Sequence, residues 1–378
     1  MKVALAFPGC HRKGGVERIM FECAKYLAGR GHDITIFATE WEPIEQPNVH
    51  YHRVAMRRRP AFMQGSSFFK HCTQELASTP YEVLNTHGCV CPTGGVHWVQ
   101  SVHAAWLQRS KTLRKPFSIG RFKQRINPLH RILLRLEEEH FRERKFQRLI
   151  ATTNDVRNDL HRIYDVPLES IEVVPNGFSP TEFNPERRRQ LRPEMRQKLG
   201  LAPDDIALLF VANELERKGY HTILAAMRQL QRKDLRLIVC GRPDAAKVKS
   251  VAAEYGIADQ VIAFGSSRDV GQLHAAGDIF VLPTQYEAFC LAILEALGSG
   301  MPVVTSRVPG AHDAIQEDVN GRLVSDPKNG NEFAQTLAPL LDRKRIEAFS
   351  AAAPGTVAAY QWPVVLARYE AILERYRN

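Results

Sequence analysis

Residues 278–295 read Asp278-Ile-Phe-Val-Leu-Pro-Thr284, Gln285-Tyr286, then Glu287-Ala-Phe-Cys-Leu-Ala-Ile-Leu-Glu295. The first piece is a short apolar run stopped by a proline, which suits a buried strand. The last piece leads into an apolar helix expected over 291–297. Glu287 therefore falls in a strand-to-helix loop, and Glu295 lies about two helical turns deeper. In an open α/β sheet such a loop faces the ligand crevice. Carboxylates accept hydroxyl donors, so one acid suits a sugar and the second suits a ribose. The alternative is a helix that carries two exposed acids.

Working outward, the same alternation fills the second half. Strands are expected at 206–211, 235–240, 261–264, 279–283 and 303–306, with helices at 220–231, 245–255, 272–276 and 289–297. The first half opens with a strand at 3–7, a loop at 11–16, a helix at 17–27 closed by Gly29-Arg-Gly31, and a strand at 33–38. Further strands fit at 49–54, 83–86 and 149–152. Strands alternating with helices imply parallel sheets covered on both faces, so the fold class is α/β. A chain of 378 residues exceeds one ordinary core. The expected division is an N-terminal Rossmann-like domain at 1–185, a C-terminal one at 186–360, and a last helix at 361–378.

Hydrophobic residues make up 44% and charged ones 24%, as in a soluble globular chain. No apolar run reaches membrane-spanning length. The apolar start, Met1 to Phe7, is cut by Pro8 and Gly9, so it reads as a first strand and not as a signal peptide. The seven cysteines are scattered and odd in number, and Cys89 and Cys91 stand too close for a zinc knuckle. A reduced, cytoplasmic chain without a structural metal is expected.

The net charge of +10 is concentrated between Arg109 and Arg148. There Arg109, Lys111, Arg114, Lys115, Arg121, Lys123 and Arg125 interleave with Phe117, Ile119, Phe122 and Ile126. Such a surface suits an anionic membrane or an anionic acceptor. Nucleic acid is a second reading, and a solvated basic face a third.

Two turns carry further chemistry. Gly14-Gly15 stand between the first strand and the first helix, where a backbone without side chains lets a phosphate approach the helix N-terminus. They are not the spaced three-glycine dinucleotide fingerprint. Arg217-Lys218-Gly219 follow the first strand of the second half, where cations can bind a diphosphate and stabilise its charge as it leaves. An exposed basic turn is the alternative.

Taken together and in order, Gly14-Gly15-Val-Glu-Arg18, Val174-Pro-Asn-Gly177, Glu216-Arg-Lys-Gly219, Glu287 with Glu295, and Gly300-Met-Pro-Val-Val-Thr305 resemble the retaining glycosyltransferases of the GT-B fold, family 4. Within that family, the stretch from Phe210 to Gly219 and Tyr286-Glu-Ala288 look closest to lipopolysaccharide core α-glucosyltransferases. The resemblance implies two Rossmann-like domains facing a cleft, with a C-terminal helix, around Tyr360-Gln-Trp-Pro363, returning to the first domain.

It also implies roles. Arg217 and Lys218 would grip the diphosphate, Glu287 would bind donor-sugar hydroxyls near the anomeric centre, and Glu295 would bind the ribose. Ala288, Phe289, Cys290 and Leu291 would complete the donor site, Gly14 and Gly15 would supply amides from the other domain, and His103 in Ser101-Val-His-Ala-Ala105 would stand beside the donor sugar. His87 is similar to a second recurrent histidine. The implied substrates are a nucleotide-diphosphate sugar, with UDP favoured, and a glycan or glycolipid acceptor. No cofactor, metal or nucleic acid is implied, since no Asp-x-Asp stands where a metal-bound diphosphate would need it. The expected place is the cytoplasm, at the inner face of the plasma membrane.

Three departures bear on the donor. Cys290 replaces a usual glycine, Ala212-Asn213 replace a usual Gly-Arg, and Pro309-Gly310-Ala311-His312 replace a Gly-Gly loop. The rival readings are a GDP-mannose-dependent mannosyltransferase, a sugar-nucleotide epimerase on the same architecture, and an inactive basic protein that binds membrane or nucleic acid.

Overall fold

The structure, a computed structural model, describes residues 1–57, 59–113, 119–267, 269–308 and 310–377. Arg114, Lys115, Phe117 and Pro309, and the side chains of Ile119, Arg121 and Lys123, lie outside the described residues. The chain forms two compact units, Met1–Asn176 with Trp362–Asn378, and Gly177–Gln361. The first junction falls at Asn176/Gly177 and not at 185. The reason is apolar: Phe178 and Phe183 are buried in the core of the second unit.

The first unit holds a parallel sheet of β1 (Lys2–Ala6), β2 (Asp33–Ala38), β3 (Val49–Arg53), β4 (Val83–His87), β5 (Val96–Val99), β6 (Arg148–Ala151) and β7 (Ile171–Val173). Their order is β3-β2-β1-β4-β5-β6-β7. β1 is central, with Val3 paired to Ile34 on one side and Val83 on the other. Its residues Val3 to Ala6 are all buried, as a strand covered on both faces requires. The helix Trp362–Arg375 belongs to this unit. Tyr369 stacks on Trp98 with centroids 5.0 Å apart. Glu370 accepts bonds from His32 at 2.8 Å, Tyr26 at 3.1 Å and Arg30 at 3.3 Å.

The second unit repeats the pattern with β8 (Ile206–Val211), β9 (Leu235–Cys240), β10 (Val261–Gly265), β11 (Ile279–Leu282), β12 (Val303–Ser306) and β13 (Gly321–Val324). The order is β10-β9-β8-β11-β12-β13, again parallel throughout. Part of the chain's positive charge is structural here. Arg188, Arg192 and Arg196 line one face of the helix Pro185–Lys198 at four-residue spacing. They donate to the carbonyls of His274, Gly277, Ala275 and Ala202 and to the carboxylate of Asp278.

In both sheets the chain order reverses between the first and fourth strands of the unit, so each sheet has a switch point, β1/β4 in one and β8/β11 in the other. Loops at the carboxyl ends of such a strand pair form a crevice.

Candidate functional site

At the β8/β11 switch point two loops meet. The one after β8 is not an open turn: Leu215–Lys218 forms one helical turn, stopped by Gly219 in the left-handed conformation at φ +87°. A Cβ on Gly219 would fall 2.1 Å from the carbonyl oxygen of Pro283. Only glycine lets this turn lie against the end of β11. Gln285 then clamps the two loops, its amide donating to Arg217 O at 2.9 Å and its side chain to Glu216 O at 2.9 Å.

This clamp sets three charged groups together. Lys218 Nζ donates to Glu287 Oε1, Arg217 Nη1 donates to the same oxygen at 3.2 Å, and Thr284 Oγ1 donates to it at 3.1 Å. The other oxygen, Oε2, accepts no bond among the described residues. Arg217 also donates to Tyr286 O at 2.6 Å and to Glu214 at 3.0 Å. Burial works against the charge on Arg217, but Glu214 and Glu287 outweigh it and hold its pKa above the ordinary value. The side chains of Arg217 and Lys218 are 29% and 15% exposed. They do not form the exposed basic turn that was the alternative.

Ala288 and Phe289 continue the loop, and the helix starts at Leu291, as the 291–297 reading expects and two residues later than 289. Cys290 is its N-cap in an extended conformation, and its amide, which has no partner within the helix, donates to Gly310 O at 3.3 Å. Gly310 has φ +70°, and a Cβ there would fall 2.4 Å from Ala288 O. The buried Cys290 thiol is pushed up to about 12 by burial, with Glu287 adding to the effect. Glu295 lies in the second turn of Leu291–Gly298 and is 7% exposed, while Glu287 is 9% exposed. The pair is not two solvated acids on a surface helix.

The remaining expected residues stand in the first unit. Gly14 and Gly15 are exposed in the turn after β1, with Gly15 at the N-cap of the helix Val16–Gly29. A Cβ on Gly15 would meet nothing within 4 Å, so the space over this helix start is open. His103 begins the helix His103–Leu113. Its Nε2 lies 3.1 Å from His130 Nδ1, and burial, with His130 beside it, lowers its pKa to about 4. It is a neutral imidazole at neutral pH. His87 is fully buried at the end of β4, stacked on Trp98, with its pKa lowered to about 3 by burial. It offers no exposed atom to a ligand. A metal cage is conceivable in the first unit at His32, Glu370 and Glu374. There Glu370 already bonds His32, Tyr26 and Arg30, so the group serves as an anchor for the last helix.

With this geometry in hand, two family descriptions match the chain. Glycosyltransferase Family 4 matches residues 13–182, and Glycosyl transferases group 1 matches residues 192–354. The chain belongs to the family 4 glycosyltransferases. Among its relatives is the lipopolysaccharide glucosyltransferase WaaG of Escherichia coli strain K12, 24% identical over 332 residues, covering 87% of this chain and 86% of that protein. A crystal structure of WaaG superimposes with a TM-score of 0.84 at 21% identity, covering 98% of this chain and 99% of that one. Anabaena HepE in complex with UDP-glucose superimposes with a TM-score of 0.76 at 17% identity, covering 99% and 100%. These likenesses give this family 4 glycosyltransferase the GT-B fold.

Several residues at the site escaped the sequence reading. Thr284, Gln285 and Glu214 hold the cations and Glu287 in place, and Glu137, Tyr164 and His130 surround His103. The signal for Glu214 was its spacing three residues before Arg217 on a helical turn. The others are joined only by folding.

Proposed function

We propose that this family 4 glycosyltransferase moves a hexose, with glucose favoured, from a UDP-sugar to a glycan or glycolipid acceptor in cell-surface polysaccharide biosynthesis, keeping the donor's α configuration. The observation that carries the reading is the cluster at the β8/β11 switch point: two half-buried cations held against one carboxylate, with a second carboxylate about one turn down the next helix. The relationship to a lipopolysaccharide glucosyltransferase and the fold shared with a UDP-glucose-binding protein support the choice of donor and acceptor.

Arg217 and Lys218 take the diphosphate and stabilise the charge that grows on it as the glycosidic bond breaks. They supply the positive charge that a metal supplies in other enzymes, so the transfer needs no metal. Glu287 offers Oε2 to a donor-sugar hydroxyl, and Glu295 takes the ribose. Ala288, Phe289, Cys290 and Leu291 shape the donor site at the helix start. From the first unit, Gly14 and Gly15 add backbone amides and His103 adds a neutral ring nitrogen. The acceptor hydroxyl attacks from the face the diphosphate leaves, and its proton passes to that phosphate.

The enzyme docks on an anionic membrane at the cytoplasmic face. The helix Ile119–Ile126 exposes Phe122 by 63% and Ile126 by 55%, one turn apart. The helix His103–Leu113, tied to it by Ser110 donating to Gln124 at 3.3 Å, adds exposed Arg109 and Lys111. Apolar side chains beside cations suit shallow insertion among anionic headgroups. No helix among the described residues is long and apolar enough to cross a membrane.

A thermal-shift screen against UDP, GDP, ADP and their sugars tests the donor, since a ligand at 100 times its Kd stabilises by about 2.7 kcal/mol. UDP-glucose is expected to give the largest shift. A larger shift with GDP-mannose would redirect the reading to mannosyl transfer. No shift with any nucleotide, together with salt-dependent binding to DNA or vesicles, would leave only an inactive basic protein. NMR of the product anomer tests retention.

A further inference from the structure

Glu137 is a carboxylate buried to 1% exposure that no step above uses. It closes the helix Pro128–Glu137 and reaches across to the start of His103–Leu113. One oxygen accepts from the amide of His103 at 2.5 Å. The other accepts from the amide of Ala104 at 3.0 Å and from the hydroxyl of Tyr164 at 2.6 Å. The first amides of any helix lack internal partners, and a local side chain usually serves them. Here the partner comes from a distant helix, and a buried carboxylate with three donors is held in one geometry.

The same helix also holds the His103 ring. His130 stands in its first turn, seven residues before Glu137 and on the same face. Its Nδ1 lies 3.1 Å from His103 Nε2, and both rings pack with Trp106 at centroid distances of 5.6 and 5.7 Å. His103 Nδ1 has no partner among the described residues. One helix thus fixes the His103 backbone through Glu137 and one ring nitrogen through His130, and leaves the other nitrogen open. Burial raises the pKa of Glu137, while the bonds from Tyr164, His103 and Ala104 work in the opposite direction. Tyr164, itself pushed up by burial and by Glu137, stays a phenol donor.

We infer that Glu137, seconded by Tyr164, is the positioning residue for His103 in sugar transfer, fixing the backbone from which the open ring nitrogen is presented. The inference rests on the reading of His103 given above.

The test compares Glu137→Gln, Tyr164→Phe and His103→Ala in the full-length enzyme. A glutamine of the same size offers one acceptor oxygen, and its amide opposes the second N–H. Glu137→Gln should lower kcat about 10- to 100-fold, the range for a displaced catalytic group, with the affinity for free UDP unchanged because Arg217 and Lys218 belong to the other unit. Glu137→Asp should recover part of the loss. NMR of histidine-labelled enzyme should show the His103 ring resonances shifted in Glu137→Gln. Tyr164→Phe, which keeps the carboxylate, should cost less, and it serves if Glu137→Gln unfolds. Full turnover in Glu137→Gln, or in Tyr164→Phe with an unmoved His103 resonance should Glu137→Gln unfold, overturns the inference when His103→Ala is crippled. Full turnover in His103→Ala overturns the reading of His103 and the inference with it.

Discussion

The two units share one order over their first six strands and use its switch point in opposite ways. In the second unit the turn after the first strand carries Arg217 and Lys218, and the loop after the fourth carries the acid that meets them. In the first unit the matching turn carries Arg12, paired with Glu42, and an exposed Lys13 beside Gly14 and Gly15, and the fourth strand ends in His87, buried and neutral. Identical topology therefore fixes where a ligand can lie and leaves open what chemistry meets it. In the second unit both cations of the turn are held against Glu287, whereas in the first the cations of the turn stand exposed ahead of an open helix start.

The sharpest way to separate the units is acid. His87, His97 and His140 are buried in the first unit, and burial lowers the pKa of each, to about 3 for His87 and about 4 for His140. The unfolded chain takes up these protons near pH 6.5 and the folded unit refuses them until lower pH. Stability is therefore full above that value and falls as the pH drops toward 4. At pH 5 the loss is about 2 kcal/mol each for His87 and His140. The chain's four tryptophans, Trp41, Trp98, Trp106 and Trp362, all belong to the first unit. Their fluorescence should report unfolding between pH 6 and pH 4 in about that range, and an unchanged emission down to pH 4 would break the contrast.

Next in size is the cation pair. Lys218→Ala or Arg217→Ala should lower kcat about 10²- to 10³-fold, or about 3–4 kcal/mol, by analogy with a lost oxyanion donor. The melting temperature should move little, and unchanged turnover in a purified variant would remove the diphosphate assignment. The glycines sharpen the same comparison. Gly219→Ala, with φ +87° and a Cβ 2.1 Å from a carbonyl, should cost about 1–3 kcal/mol of stability. Gly15→Ala, which meets no neighbour, should leave the melting temperature within a degree or so and lower turnover alone.

The two acids should divide the donor. Glu295→Ala is expected to weaken free UDP about tenfold, or ~1.4 kcal/mol, while Glu287→Ala lowers turnover with the sugar nucleotide. Calorimetric titration that found equal losses of UDP affinity would contradict the division. Smallest per residue is the membrane contact, roughly 1 kcal/mol for each cation near anionic lipid. Phe122→Ser with Arg125→Gln should release the enzyme from anionic vesicles as salt rises, with UDP affinity intact. Indifference of the wild type to such vesicles at low salt would point to a soluble acceptor.

The alternation of short apolar strands with helices made both sheets legible, since a buried parallel strand is a continuous apolar run such as Ile206–Val211. Glu287 and Glu295 were legible because strand, loop and helix follow one another in a single stretch. Gln285 was not, because its role is a bond to a carbonyl 69 positions away, and nothing in Gln-Tyr-Glu announces it. Glu137 sat inside a run of glutamates read as counter-charges to a basic segment, and only its burial among amides distinguishes it from Glu138 and Glu139. The basic helix Pro185–Lys198 drew no reading from the sequence, although three of its arginines are tied to carbonyls and Asp278.

Glu287 Oε1 has one further consequence. On the reading proposed above, it is a tenant in the seat the diphosphate would take, paired with Lys218 and Arg217 before any substrate arrives. A stray phosphate or a nucleic-acid backbone meets cations that are already satisfied, and a single weak contact does not evict a carboxylate bonded three ways. A sugar nucleotide would present two phosphates to the cations and a hydroxyl to the oxygen left open, and would exchange several bonds at once. On that reading the site would filter anions by valency before it reads their shape, in a protein whose net charge is +10.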